Sequence, residues 1–242
     1  MDVVVKQYFD FPFMWEHSGV VLAGFWITVQ LSLWAGAFSL IWGLILALLR
    51  SLPGRWAKPV RAITIAYIDV FRGIPLLIII LLVGGSLAFI SVLPRWLRIP
   101  EFFGYPEVFW YGVMAITITY GAYFAEVYRA GIDAVPRGQI EASRSLGMGR
   151  WATMRFVTLP QAIRKVLPPF LNDYTALMKD TSLVSVLGLP EAVRVGRELQ
   201  SEYFNASGLI LGALLFLLFT LPLARLVDRQ IKKQNIRFQR AP

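Results

Sequence analysis

The sequence predicts an all-α membrane protein with five transmembrane helices in a single domain, residues 1–242. Three observations carry that expectation. Of the 242 residues 57% are hydrophobic and the mean hydropathy is +0.59, too apolar for a soluble domain. Charge-free stretches such as 17–49, with His17 neutral, exceed the roughly 20 residues that an α-helix needs to cross hydrocarbon. The Lys and Arg residues behind the net charge of +9 gather in short segments beside those stretches. That is a topology signal rather than the footprint of nucleic acid, which is not expected as a partner.

The opening residues MDVVVKQYFDF mix acids with aromatics and lack a basic n-region with a small-residue cleavage site. No cleaved signal peptide is expected, and the segment up to His17 suits a membrane surface. Span one is 17–49. Arg50, Arg55, Lys58 and Arg61 follow around a Pro53-Gly54 turn. Span two runs from about 62 to 93, although Asp69, Arg72 and the break Gly73-Ile74-Pro75 sit in its first half. A polar, aromatic connection over 94–107 suits the interface, and span three covers 108–132. An Arg-rich loop of about 133–165 belongs in water. Span four, 167–189, is only moderately hydrophobic because Asp173, Lys179 and Asp180 interrupt it. Span five, 203–224, is charge-free and leads into a basic tail.

The positive-inside rule decides whether the doubtful fourth segment crosses. With five spans and the N-terminus outside, the 50–61 turn, the 137–165 loop and the tail place 16 Lys and Arg in the cytoplasm against 5 outside. Four spans would give 13 and 9. The expected topology therefore has five spans, an outside N-terminus and a cytoplasmic C-terminus.

Catalytic options are narrow. The chain has no Cys and a single His, so disulfides, thiol nucleophiles and His/Cys metal sites are excluded. No GxxxxGK[ST] occurs, so ATP hydrolysis through a P-loop of its own is excluded as well. No internal repeat or low-complexity region is visible.

Between spans three and four, IEASRSLGMGRWATMRFVTLPQAIRKVLPP breaks into short pieces. Residues 141–146 are good helix formers, Gly147 can end them in a left-handed cap, and 151–157 resumes until Leu159-Pro160 stops it. The product is a helix-turn-helix elbow outside the bilayer. Glu141-Ala142-Ser143, three residues, Gly147, then Leu159-Pro160 resembles the EAA loop of ABC-transporter permeases, with Ser143 where a second Ala is usual. The resemblance implies that Glu141, Ala142, Ser143, Gly147, Leu159 and Pro160 belong to the element that fits a groove on a cytoplasmic ATPase subunit.

Ionisable residues inside spans cost about 2.5–3.5 kcal/mol each and are functional candidates by default. Asp69 and Arg72 lie three apart, as do Glu126 and Arg129, so each pair can instead neutralise itself along one helix face. Pro75 removes a backbone donor, and a broken helix in a bilayer needs protein or a wet cavity around it. An arginine beside such a cavity can grip a carboxylate with two hydrogen bonds, while an opposing acid can take an ammonium. Arg72 and Asp173 are the pair assigned those roles.

YIDVFRGIPLL (67–77), AYFAEVYRAGIDAVPRGQIEA (122–142) and PPFLNDYTALMKDTSLVSVLG (168–188) resemble the polar amino-acid permeases of the ABC superfamily, the branch of histidine, arginine and glutamine importers. With the elbow they cover most of residues 60–190. The resemblance implies a type I importer permease in a bacterial inner membrane, with an amino acid held by Arg72, Glu126, Asn172 and Asp173. Asp69 is a further candidate from its position alone, and Lys179-Asp180-Thr181-Ser182, which resembles a signature of that family, is expected mainly to pair and cap within span four. Implied partners are ABC ATPase subunits, which would bind ATP and magnesium, a second permease chain and an extracytoplasmic binding protein. No cofactor is expected in this chain. Two alternatives stay open, a permease for another small solute such as an opine, and an ion-coupled secondary transporter using Asp69, Glu126 and Asp173.

Overall fold

A computed structural model describes residues 2–86, 101 and 103–239. Every regular element among them is helical. Two short helices, α1 (Asp2–Tyr8) and α2 (Phe11–Glu16), lead into α3 (Ser18–Arg50). A turn through Gly54, whose φ is +90°, connects to α4 (Lys58–Gly73). Then come α5 (Leu76–Ile80), running into a π-turn over Leu81–Ser86, and α6 (Glu107–Asp133). The elbow consists of α7 (Arg137–Ser145), α8 (Arg150–Thr153) and a π-turn over Met154–Thr158. Next are α9 (Leu159–Asp180), a 3-10 turn (Thr181–Leu187), α10 (Ala192–Tyr203) and α11 (Ser207–Gln239).

Helices α3 and α6 form the centre. In lipid the hydrophobic effect does not drive helices together, so close backbone approach has to supply the attraction. A Cβ on Gly43 of α3 would stand 2.7 Å from the Phe124 Cβ and 2.9 Å from the Gly121 carbonyl oxygen of α6. Leu31, Ala35, Phe109, Ile116, Phe124, Ile80 and Leu177 bury themselves around this seam. Helix α4 is tied on by polar contacts. Trp42 Nε1 donates to the Tyr67 hydroxyl at 2.8 Å, which donates to the Ile118 carbonyl at 2.9 Å.

The all-helical expectation holds, with two corrections to the spans. Helices α3, α6 and α11 are long and apolar enough to cross a membrane. The predicted span two is not one straight helix: α4 and α5 meet at 106°. Pro75 has no N–H to offer and Ile74 is extended at φ −90°, ψ 131°, so the helix restarts in a new direction. The rest of that predicted span, 87–93, and most of the connection after it, including Arg95 and Arg98, lie outside the described residues, as does Arg240 of the tail. The predicted span four, 167–189, is displaced: its helix α9 starts eight residues earlier, at Leu159, and ends at Asp180, where a 3-10 turn takes over, and its charged residues Arg164, Lys165, Asp173, Lys179 and Asp180 keep it below the apolarity of the other three.

Candidate functional site

The helix break builds the candidate site. At the end of α4 the Val70 carbonyl still accepts from the Ile74 N–H at 3.1 Å. The Arg72 carbonyl instead accepts from the Tyr123 hydroxyl of α6, at 3.4 Å. The Arg72 guanidinium lies over the Tyr123 ring, 5.4 Å from its centroid, so a phenol gives the cation a π-face and satisfies its backbone together. Arg72 and Asp69 form no ion pair: both are exposed, and the self-neutralising pair is absent.

Helix α9 brings the acids. Asp173 lies within electrostatic reach of Arg72 but not within ion-pair distance, and Asn172 is exposed beside it. Two helical turns further, Asp180 accepts from the Tyr120 hydroxyl at 2.8 Å. Tyr120 and Tyr123 are neighbours on α6 with ring centroids 5.7 Å apart. The cluster thus offers one guanidinium, two carboxylates and two phenols from three helices. That set suits a small solute bearing both charges.

Tyr120 and Tyr123 were not singled out from sequence, and Asp180 was a candidate only as an ionisable residue inside a span, with no binding role assigned. The tyrosines read as ordinary aromatics of an apolar span. The expected Lys179–Asp180 pair is not formed; the capping is, since the Thr181 hydroxyl donates to the Met178 carbonyl at 2.6 Å and the Ser182 hydroxyl to the Lys179 carbonyl at 2.7 Å.

Glu126 is engaged elsewhere. Its Oε1 pairs with Arg50 at the end of α3, and its Oε2 accepts from Arg129 Nη2 at 2.7 Å and Nε at 2.9 Å. Arg129 Nη1 also pairs with Asp133 at 2.7 Å. Two acids and two bases therefore close a network between α3 and the end of α6, three residues before the elbow begins.

In the elbow, α7 ends as expected. Gly147 takes φ +79°, the Met148 N–H donates to the Ser143 carbonyl at 3.2 Å, and the Gly147 N–H donates to the Arg144 carbonyl at 3.0 Å. This double closure satisfies carbonyls that the helix end would orphan. Buried Ser143 donates from its hydroxyl to the Ile140 carbonyl at 2.8 Å and shares a hydrogen bond with the Thr153 hydroxyl at 3.1 Å, so it fastens α7 to α8. Leu159-Pro160 corrects the expectation: it does not stop a helix but opens α9, because proline in a first turn sits where no N–H bond is needed. Glu141 and Ala142 are exposed, and so are Leu146 (83%), Trp151 (78%) and Phe156 (70%).

Residues 39–235 match the family described as binding-protein-dependent transport system inner membrane component. The chain is 40% identical over 197 residues to the nopaline transport system permease protein NocQ of Agrobacterium fabrum, covering 80% of each chain. It is 30% identical to the glutamine transport system permease protein GlnP of Escherichia coli, over 94% of this chain and 99% of that one. A crystal structure of an amino acid ABC transporter with histidines superposes with a TM-score of 0.79 at 32% identity, over 92% of this chain and 98% of that one. These likenesses set aside the ion-coupled alternative. The chain belongs to the binding-protein-dependent inner membrane components, and it is the multi-pass permease subunit of an ABC transporter whose ATPase is a separate subunit.

Proposed function

We propose that this permease imports a polar amino acid, held between Arg72 and Asp173 at the helix break. The observation that carries the reading is the convergence of opposite charges from α4 and α9 on neighbouring tyrosines of α6: the Arg72 guanidinium lies over Tyr123, Asp180 accepts from Tyr120, and Asp173, two turns before Asp180 on α9, forms no ion pair with Arg72. An amino acid zwitterion complements both, carboxylate to Arg72 and ammonium to Asp173. Asn172, Tyr123 and the Tyr120–Asp180 pair would line the same space. Asp69 stays a candidate for its rim, while the ion pairs of Glu126 make it a link between helices rather than a ligand.

The reading further has five spans with the N-terminus outside and the C-terminus in the cytoplasm, α9 crossing with its charged residues turned toward the pathway. A second permease chain completes that pathway, and a binding protein delivers the solute. ATPase subunits holding ATP and magnesium dock at the elbow through Glu141, Ala142 and the exposed Leu146, Trp151 and Phe156. The nopaline permease likeness favours one variant, an opine as cargo, since an opine also presents carboxylates to an arginine.

The assembled transporter in nanodiscs, given its binding protein and one candidate solute at a time, tests this by solute-stimulated ATP hydrolysis. Stimulation by a polar amino acid or an opine supports the proposal. Stimulation only by solutes lacking a carboxylate would refute it.

A further inference from the structure

Helix α10 carries a polar face that the transport reading leaves unused. Its buried face, Ala192, Val195, Gly196 and Leu199, packs on α3 at Gly24 and on α11 at Leu209. On the other side Arg194, Arg197, Glu198 and Ser201 follow helical spacing. Together with Ser185 and Val186 of the preceding 3-10 turn they line an open cleft of about 370 Å³. Arg194 Nε is bound to Glu198 Oε1 at 2.7 Å, so those two charges cancel. Arg197 is exposed and forms no ion pair with any of the described residues. The cleft keeps one uncompensated positive charge.

This face is also rigid. Fully buried Glu191 caps α10, accepting from the Arg194 N–H at 2.8 Å, the Val193 N–H at 3.0 Å and the Thr28 hydroxyl of α3 at 3.4 Å. It lies far from the elbow, since the 22 residues of α9 between them rise about 33 Å at 1.5 Å each. Counting roughly 20 hydrocarbon-spanning residues from Arg50 along α3 reaches about Gln30. Gly24, where α10 packs, is therefore already at the bilayer surface opposite the ATPase.

We propose that this cleft is a docking point for the extracytoplasmic binding protein, with a carboxylate side chain of that protein paired to Arg197. The proposal rests on the reading that a binding protein serves this chain and that the elbow is cytoplasmic. A soluble partner arriving on that side meets a fixed helix with an open guanidinium, which accepts a carboxylate through two parallel hydrogen bonds. Opposite charge at an interface rim speeds encounter and sets register more than it adds affinity. The other wall of the cleft is the 3-10 turn that follows directly on Asp180, the acid bonded to Tyr120 in the translocation site. Docking therefore acts one short turn from the cargo.

The test uses the complete transporter in nanodiscs with the solute-loaded binding protein that stimulates its ATP hydrolysis. At low salt Arg197→Glu should raise the half-saturating concentration of binding protein about tenfold, and Arg197→Lys should stay within about threefold of the parent. Glu198→Gln, which releases Arg194, should lower it, and all these differences should shrink at high ionic strength. If the parent responds and Arg197→Glu has an unchanged half-saturating concentration, the docking site is wrong while binding-protein dependence stands. If no binding protein stimulates the parent, the underlying reading fails first, and the docking site with it. If Arg197→Glu alters only the solute dependence at saturating binding protein, Arg197 serves the solute and the proposal is overturned.

Discussion

Arg72 stands where α4 runs out of backbone partners, and its surroundings divide its energetics into parts that single substitutions separate. The Tyr123 ring and hydroxyl hold the residue in place, while the charge itself has no ion-pair partner among the described residues. Arg72→Ala should therefore leave assembly intact and raise the solute concentration for half-maximal stimulation tenfold or more, about 1.4 kcal/mol or above. Asp69→Asn should change transport little, because Asp69 neither pairs with Arg72 nor is buried. A comparable loss in Asp69→Asn would place that acid in the site after all. Gly147 gives a second prediction at this scale. Open space surrounds a Cβ there, so only its φ of +79° resists substitution. Gly147→Ala should cost about 1 kcal/mol of local strain and reduce coupling between ATP hydrolysis and uptake, and Gly147→Pro should uncouple them while solute binding is retained. Parental uptake in the proline variant would remove the elbow from the coupling path.

At the scale of elements, the Arg50–Glu126–Arg129–Asp133 network ties α3 to the end of α6, which leads into the elbow after three residues. Its members are partly exposed, so its contribution to stability is small after solvent screening, and its role is geometric. Arg50→Glu should lower the ratio of solute carried to ATP hydrolysed, and the swap Arg50→Glu with Glu126→Arg should restore part of it. A swap no better than either single variant would show that the pair does not act as a link. This network also marks where the sequence stopped being legible. The spacing of Glu126 and Arg129 showed that they could meet, but Arg50 is 76 positions from Glu126 and only the close packing at Gly43 and Gly121 brings it there. The Gly147 cap was legible because it is local. Leu159-Pro160 was misread because a proline that ends one helix and a proline that starts another look alike without the partner carbonyls. Tyr120 and Tyr123 stayed hidden for a different reason, since an aromatic in an apolar span looks the same whether its hydroxyl faces lipid or an acid.

For the whole molecule, the charge pattern predicts opposite sides for the two termini. Single cysteines at Asp2 and Gln239 can be labelled with an impermeant reagent without background, since the native chain has no cysteine. Labelling of Asp2→Cys from outside and of Gln239→Cys only after permeabilisation is expected, and labelling of both from one side would eliminate five spans. The packing seam supplies a check on the fold itself. Gly43→Leu should destabilise the detergent-solubilised protein by about 1–3 kcal/mol through forced separation of α3 and α6, read as a fall in melting temperature. The central claim is that a solute's carboxylate is gripped by Arg72 and its ammonium by Asp173, and the most direct measurement is a charge exchange across the site. In nanodiscs with the stimulating binding protein and its solute, Arg72→Asp should abolish solute-stimulated ATP hydrolysis. Asp173→Arg should do the same, while basal hydrolysis persists in both. The double exchange should recover part of the stimulation, because the solute can bind with its ends reversed between the same two positions. Full stimulation in either single variant would contradict the account.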